Sequence, residues 1–465
     1  MNLKYVHRAA LAAAMFVAAA SLTGTAAKAT EKPAGPLRVA TFDVDATPPL
    51  GSPVAYAPAR KIDDPLSARG IVLLGAGDPI VLCAVDWIGI GNSGHQIWRE
   101  QLAEAAGTTP DRVAVHVLHQ HDGPRCDFSA EELLQAVGCG NLKFDAVFAR
   151  QTIKRVTEAI RASLDKTQPI THIGVGQAKV EKVASNRRIL GPDGKVQYVR
   201  PSFARDPILF ELPEGLIDPY VKIVSLWNGD QPVVSLSYYA CHPQSYYGQG
   251  DVTCEFIGIA RNQRQDELKV PHVHFNGAGG NVAAGKYNDG KPPTRKVLTD
   301  RFHDGLRRAW EATKKEPLAA DSVEWRVAPV DVPVRDTLVE AELTKTLKDE
   351  TAEIGDRARA ASKLAFLDRR KQGIPIELAC LKLGDAYILH MPGELFVEYQ
   401  LAAQKLRPND FVCMAAYGDY GTGYIGTEIA YSQGGYETGP NVSNTAPQIE
   451  KVLMDGVKRL LRVNE

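Results

Sequence analysis

Apolar and polar positions along this chain switch between a period of two and a period near 3.6, and the switches set out strands and helices in turn. Residues 37–44 read as a strand closed by Thr47-Pro48-Pro49. Two more strands, 70–74 and 79–86, flank the turn Gly75-Ala76-Gly77-Asp78. Residues 93–106 place Ile97, Leu102 and Ala105 on one helical face. From Val113 the chain is apolar and β-branched until it stops at Gly123-Pro124, the mark of a buried strand ending in a turn. Val147, Phe148, Ile153, Val156, Ile160 and Leu164 then recur at helical spacing.

Alternation returns at 171–183, and 221–227 with 233–240 predict a hairpin across Asn228-Gly229-Asp230. Between them, 185–218 is polar and proline-rich; so long a loop signals function or a hidden element. A helix (256–268) and a strand (270–275) lead into a glycine loop, 276–281. Then come a helix (296–314), a strand (322–334) and a charged stretch (338–371) that reads as solvated surface helices. Strands at 374–383 and 386–390, a helix at 394–405 and a strand at 411–416 precede an aromatic, glycine-rich loop; a helix at 448–461 closes the chain. No internal repeat is visible. The pattern predicts an α/β protein, its mixed sheets layered in a single large domain spanning 37–465.

Composition narrows the function. The 465 residues are 44% apolar and 23% charged with a net charge of -1, and no basic stretch suits nucleic acid. Residues 1–29 have the basic start, short Ala-rich apolar run and Ala27-Lys28-Ala29 site of a cleavable leader, followed by a linker at 30–36. The expectation is an exported protein, periplasmic or secreted, with no stable membrane anchor. Export permits disulfides, and of the seven cysteines Cys126 and Cys139, flanking one loop, are expected to be bridged. Cys83 and Cys380 lie in apolar runs and read as buried thiols.

His119 and His121 stand two apart at the end of a strand, so both imidazoles can face one side. Such a pair suits metal binding or proton transfer, and equally two hydrogen-bonded loop histidines. Other strands also end in polar groups: His242, the 276–281 loop, and His390 leading to Glu394. The His-x-His-x-Asp-His pattern of metallo-β-lactamases is absent, as are HExxH and G-x-S-x-G, and the cadence of an amidohydrolase barrel is missing.

Six segments, in order, resemble the neutral/alkaline non-lysosomal ceramidase family in its N-terminal catalytic domain. Asp45-Ala-Thr-Pro-Pro49 resembles the family's I-T-P-P, and Leu118-His-Gln-His-Asp-Gly-Pro124 its T-H-T-H-S-G-P. Asn186-Arg187 is similar to N-R-S, His242-Pro-Gln-Ser245 to H-P-T-S, and Met391-Pro-Gly-Glu-Leu395 to P-G-E-F. Tyr424-Ile-Gly-Thr427, with Tyr431-Ser-Gln433 and Tyr436-Glu437, tracks the family's tyrosine-rich loop. The resemblance implies one zinc ion per chain held by His119, His242, Glu394 and Tyr431. It further implies His121 as an acid–base group and Arg187 at the substrate or developing oxyanion. Tyr424 and the glycine loop (Gly277, Gly279, Asn281) are expected to face the substrate, with backbone N–H groups of 277–280 as oxyanion donors.

The chain departs from the family in particular places. Where the family reads N-x-G-D-x-S-P, alignment on Gly280 gives Asn281, Val282, Ala283 and Ala284, so Ala283 replaces the serine. Asp122 stands beside His121 in place of a serine and is expected to raise that imidazole's pKa. One helix follows the tyrosine loop in this sequence, and a counterpart of the family's immunoglobulin-like domain is not expected. The resulting expectation is a zinc hydrolase that attacks an amide (N-acyl) bond with metal-activated water. Its substrate is a small molecule, a lipid amide or a polar N-acyl compound. A non-catalytic binding protein on the same scaffold and a zinc esterase or lactonase are the alternatives.

Overall fold

The computed structural model describes residues 35–463, so the expected leader lies outside the described residues. Three sheets form a single large α/β domain, and each follows the same path. In the first, Arg38–Asp45, Ser67–Leu74 and Ile80–Val85 run antiparallel in order; the helix Asn92–Ala106 then carries the chain back to Val113–Val117, parallel to Ile80–Val85. The second repeats this with His172–Lys179, Tyr220–Asn228, Gln231–Tyr239, the helix Glu255–Leu268 and the parallel strand His272–Asn276. The third uses Val323–Val330, Ile376–Leu383, Ala386–His390, the helix Val397–Leu406 and Phe411–Ala415.

A closing helix follows each unit (Ala146–Leu164, Pro292–Glu311 and Ile449–Leu461) and packs on that unit's first strand. The fold is thus a threefold internal repeat. It escaped the sequence because the segments joining the first and second strands differ widely in length and the side chains share only their apolarity.

One core is common to the three sheets. Ile71 and Leu82, Val224 and Leu236, Leu381 and Ile388 are all buried in one cluster, each contributing about 1.5–3 kcal/mol. At the junction His116 Nε2 lies 2.9 Å from His390 Nδ1, and Phe275 meets the His116 ring edge-on at 5.8 Å. His390 is therefore spent inside the core. Loops at the carboxyl ends of the third and fourth strands of each unit meet on one side of this junction, where ligand sites of open sheets form.

Three expectations are corrected and one helix is added. Glu394 does not open a helix: Glu394–Leu395 pairs in parallel with Tyr424–Ile425, and the helix starts at Val397, whose N–H is taken by Asn281 Oδ1. The helix Phe128–Ala136, unforeseen in the sequence, is capped by Asp127, which accepts from Ala130 N–H. That helix stands between Cys126 and Cys139, which sit in different core clusters; all seven cysteines are free, and no bridge forms. The 338–371 stretch forms the helices Glu340–Lys348 and Ile354–Lys371, and the second buries Ala360, Ala361 and Phe366. No described helix is long and apolar enough to cross a membrane.

Candidate metal centre

The loop after Val113–Val117 turns sharply. His119 has φ 68°, a left-handed conformation costing a β-carbon-bearing residue about 1–3 kcal/mol. It is held there at both ends: its N–H donates to Trp87 O (2.9 Å) and its Nδ1 to Ile88 O (2.6 Å). His242, after Gln231–Tyr239, has Nδ1 2.6 Å from Gly279 O. A carbonyl only accepts, so each Nδ1 carries the proton and each Nε2 of the neutral ring presents a lone pair.

Those two lone pairs face one carboxylate oxygen. Glu394 Oε2 is 3.2 Å from His119 Nε2 and 3.0 Å from His242 Nε2, all three residues being buried. Burial depresses the pKa of His242, with Glu394 opposing. Three acceptors converging without a proton between them repel one another, and a divalent cation resolves that repulsion. His119, His121 and His242 bring ligand nitrogens within 4.8 Å of one another. Two imidazoles and a carboxylate are zinc donors, so this donor set fits the ion that the sequence implied.

His121 faces the cavity. Its Nε2 is 3.3 Å from His119 Nε2 and its Nδ1 is 2.7 Å from the Tyr56 hydroxyl. Burial, then the neighbouring His119 and His242, push its pKa well below the ordinary histidine value. Asp122 does not raise it, because that carboxylate turns away to accept from Gly248 N–H at 3.0 Å.

Tyrosines complete the site, though not the expected one. Tyr431 is not brought to the histidines: its hydroxyl bonds Thr445 (2.7 Å) and Ser443 (3.3 Å), and Arg335 lies over its ring. Tyr420 donates instead to Glu394 Oε1 at 2.6 Å, Tyr424 has its hydroxyl 3.3 Å from His242 Nε2, and Tyr417 stacks on His119 at 4.7 Å. Arg187 is buried in the wall, where Nη1 donates to Tyr424 at 3.0 Å and Nε pairs with Glu437 at 3.1 Å. Its contacts are with Tyr424 and Glu437.

The glycine loop lies beneath the site as scaffold. Gly277 N–H donates to Tyr239 O, Ala278 N–H to Gln400 and Gly280 N–H to Leu395 O, so these donors are already engaged. Gly279 contributes the carbonyl that orients His242. A β-carbon on Gly280 would lie 2.3 Å from Glu394 O, which is why this loop must be glycine there. Asn281 bonds Glu398 and Val397, away from the cavity, and Ala283 pairs in a short ladder with Ser185.

Tyr420 and Tyr56 are the contacts that sequence reasoning missed. Tyr420 lay within the loop singled out for its aromatics, but nothing distinguished it from its neighbours. Tyr56 had no signal, sitting in a proline-rich loop whose approach to His121 depends on the tertiary fold.

In front of His121 and Glu394 lies a cavity of about 380 Å³. One wall is Tyr56, Tyr420, Tyr424 and Tyr436; the other is the Ile354–Lys371 helix, through Ala358, Arg359, Ser362 and Lys363. The charged stretch that read as plain surface thus forms part of the pocket.

Known structures share this architecture. A ceramidase complexed with C2 superposes with a TM-score of 0.66 at 14% identity, over 92% of this chain and 76% of its own. The neutral ceramidase from Pseudomonas aeruginosa gives 0.65 at 16%, over 92% and 75%. The fold is ceramidase-like. No protein-family model matches the sequence, and no curated protein matches it either. Likeness at this identity is likeness of the ceramidase fold.

Proposed function

We propose that this protein is a zinc-dependent hydrolase of an amide (N-acyl) bond, exported as its first 29 residues suggest. The observation that carries the reading is the convergence of His119 Nε2, His242 Nε2 and Glu394 Oε2, with each Nδ1 pinned to a carbonyl. These three residues would hold the metal. Zinc bound there would supply Lewis acidity, polarising a carbonyl and activating water near neutral pH.

The remaining steps belong to the protein's own groups. Neutral His121, on the cavity side with Nδ1 tied to Tyr56, accepts a proton from the attacking water at Nε2 and returns it to the leaving nitrogen. Tyr424, aimed by Arg187, donates its hydroxyl to the oxygen that becomes negative as the carbonyl is attacked. Tyr420 fixes the rotamer of Glu394 through Oε1, leaving Oε2 for the histidines. No serine is needed in this scheme, which accommodates Ala283.

Hydrolysis of a panel of N-acyl compounds by the full-length protein, with and without chelator, tests the proposal. Turnover that chelation abolishes and added zinc restores supports it; turnover indifferent to chelation contradicts it.

A further inference from the structure

The charge of the cavity in front of the histidines is one-sided. Four cations line it, Arg125, Lys143, Arg359 and Lys363, against the two carboxylates of Asp127 and Glu394. Both carboxylates are already committed. Glu394 faces His119 and His242, while Asp127 caps the Phe128–Ala136 helix and accepts from Asn92 at 2.7 Å.

Among the described residues Arg125, Lys143 and Lys363 have no carboxylate partner; Arg359 pairs with Asp356 at 2.6 Å. Lys363 is 8% exposed, and its Nζ meets only the Pro440 carbonyl, at 2.7 Å. Burial, with repulsion from Arg359 and Arg335, draws its pKa down to about 8. Fold stability does not account for the arrangement, since like charges gathered in a concave, partly desolvated site repel one another. A bound anion would relieve them.

We infer that the substrate carries an anionic group, a carboxylate or another oxyanion, on the part that lies along the Ile354–Lys371 helix, where Lys143, Arg359 and Lys363 receive it. This rests on the hydrolase reading and adds the substrate class: an acidic N-acyl compound rather than a neutral lipid amide. Arg125, beside Tyr56, Tyr420 and His121, continues the positive field to the reacting end.

Matched substrate pairs test it in the full-length protein. One pair bears the acid on the amine side, N-hexanoyl-6-aminohexanoate against its N-methylamide. The other bears it on the acyl side, adipic acid monoanilide against its N-methylamide. The expected result is a kcat/KM at least about tenfold higher for the acid of one pair, mainly through KM, the scale of one charge-assisted hydrogen bond. That preference should fall several-fold in Lys143→Gln and in Arg359→Gln, two residues not fully buried, and should shrink at high salt. Equal or better turnover of the neutral mates overturns the inference and leaves the hydrolase reading standing. If no pair is hydrolysed, calorimetry with adipate against adipamide decides the inference alone. Tighter binding of the dianion supports the anion site, and equal binding of both overturns it.

Discussion

His242 Nε2 lies 3.0 Å from Glu394 Oε2, and the proton that would join them is on the far side of the ring, held by Gly279 O at 2.6 Å. Two acceptors at that distance call for a cation. Metal removal should therefore destabilise the protein: a ligand at about a thousand times its Kd contributes about 4 kcal/mol. Thermal unfolding with chelator, then with added zinc, should show a lower Tm that recovers on addition. An unchanged Tm would count against the site.

His121 should separate from the ligands. Because it stands on the cavity side and is tied to Tyr56, His121→Ala should retain zinc while kcat falls by about 10²–10⁴-fold. Zinc lost from that variant would make His121 a ligand instead.

The tyrosines offer a sharper comparison. Tyr431→Phe removes a hydroxyl bonded to Thr445 and should cost about 1 kcal/mol of stability with metal content unaltered. Tyr424→Phe removes the acceptor of the buried Arg187 Nη1, so it should cost about 1–3 kcal/mol of stability and in addition lower kcat by about 10²-fold. Reversal of these two outcomes would favour the assignment drawn from the sequence.

Gly280→Ala should act at a distance through the backbone. The new β-carbon meets the Glu394 carbonyl, so the variant should bind zinc weakly even though no ligand has been changed. Normal zinc affinity would show that the loop yields.

Asp127 predicts a pH dependence of stability. Burial pushes its carboxyl up to about 7 from an ordinary 3.8, against hydrogen bonds from Ala130, Asn92 and Ser129. Between those values the folded state holds a proton that the unfolded state has released, so stability falls as pH rises through this window and levels off above it. Asp127→Asn keeps the helix cap and removes the ionisation. Its Tm should match wild type near pH 4 and exceed it at pH 8, by the equivalent of about 4 kcal/mol. A variant equally or less stable at both values would refute the burial argument.

Much of the fold was legible because its strands and helices carry strong periodicity. The hairpin across Asn228-Gly229-Asp230 and the helices at 93–106 and 448–461 came out within a residue or two. The threefold repeat was not legible, since a shared backbone path leaves no shared side-chain pattern. His119 stood out at a strand end, but its grouping with His242 and Glu394 came only through short motifs; their convergence depends on three strand ends meeting, which no local window reports. A tyrosine-rich loop offers several phenols at similar spacing, and the tertiary path sets Tyr420 and Tyr424, rather than Tyr431, beside Glu394 and His242. The role of the 354–371 helix was hidden by its charge, which reads as solvated surface unless it is seen to face a cavity.

The most direct test is the metal content of the purified full-length protein beside His119→Ala and His242→Ala. The prediction is one zinc per chain in wild type, lost in both variants while their folds persist by circular dichroism. Wild-type protein without zinc or any other divalent metal after reconstitution, or variants that keep the full complement, would contradict it.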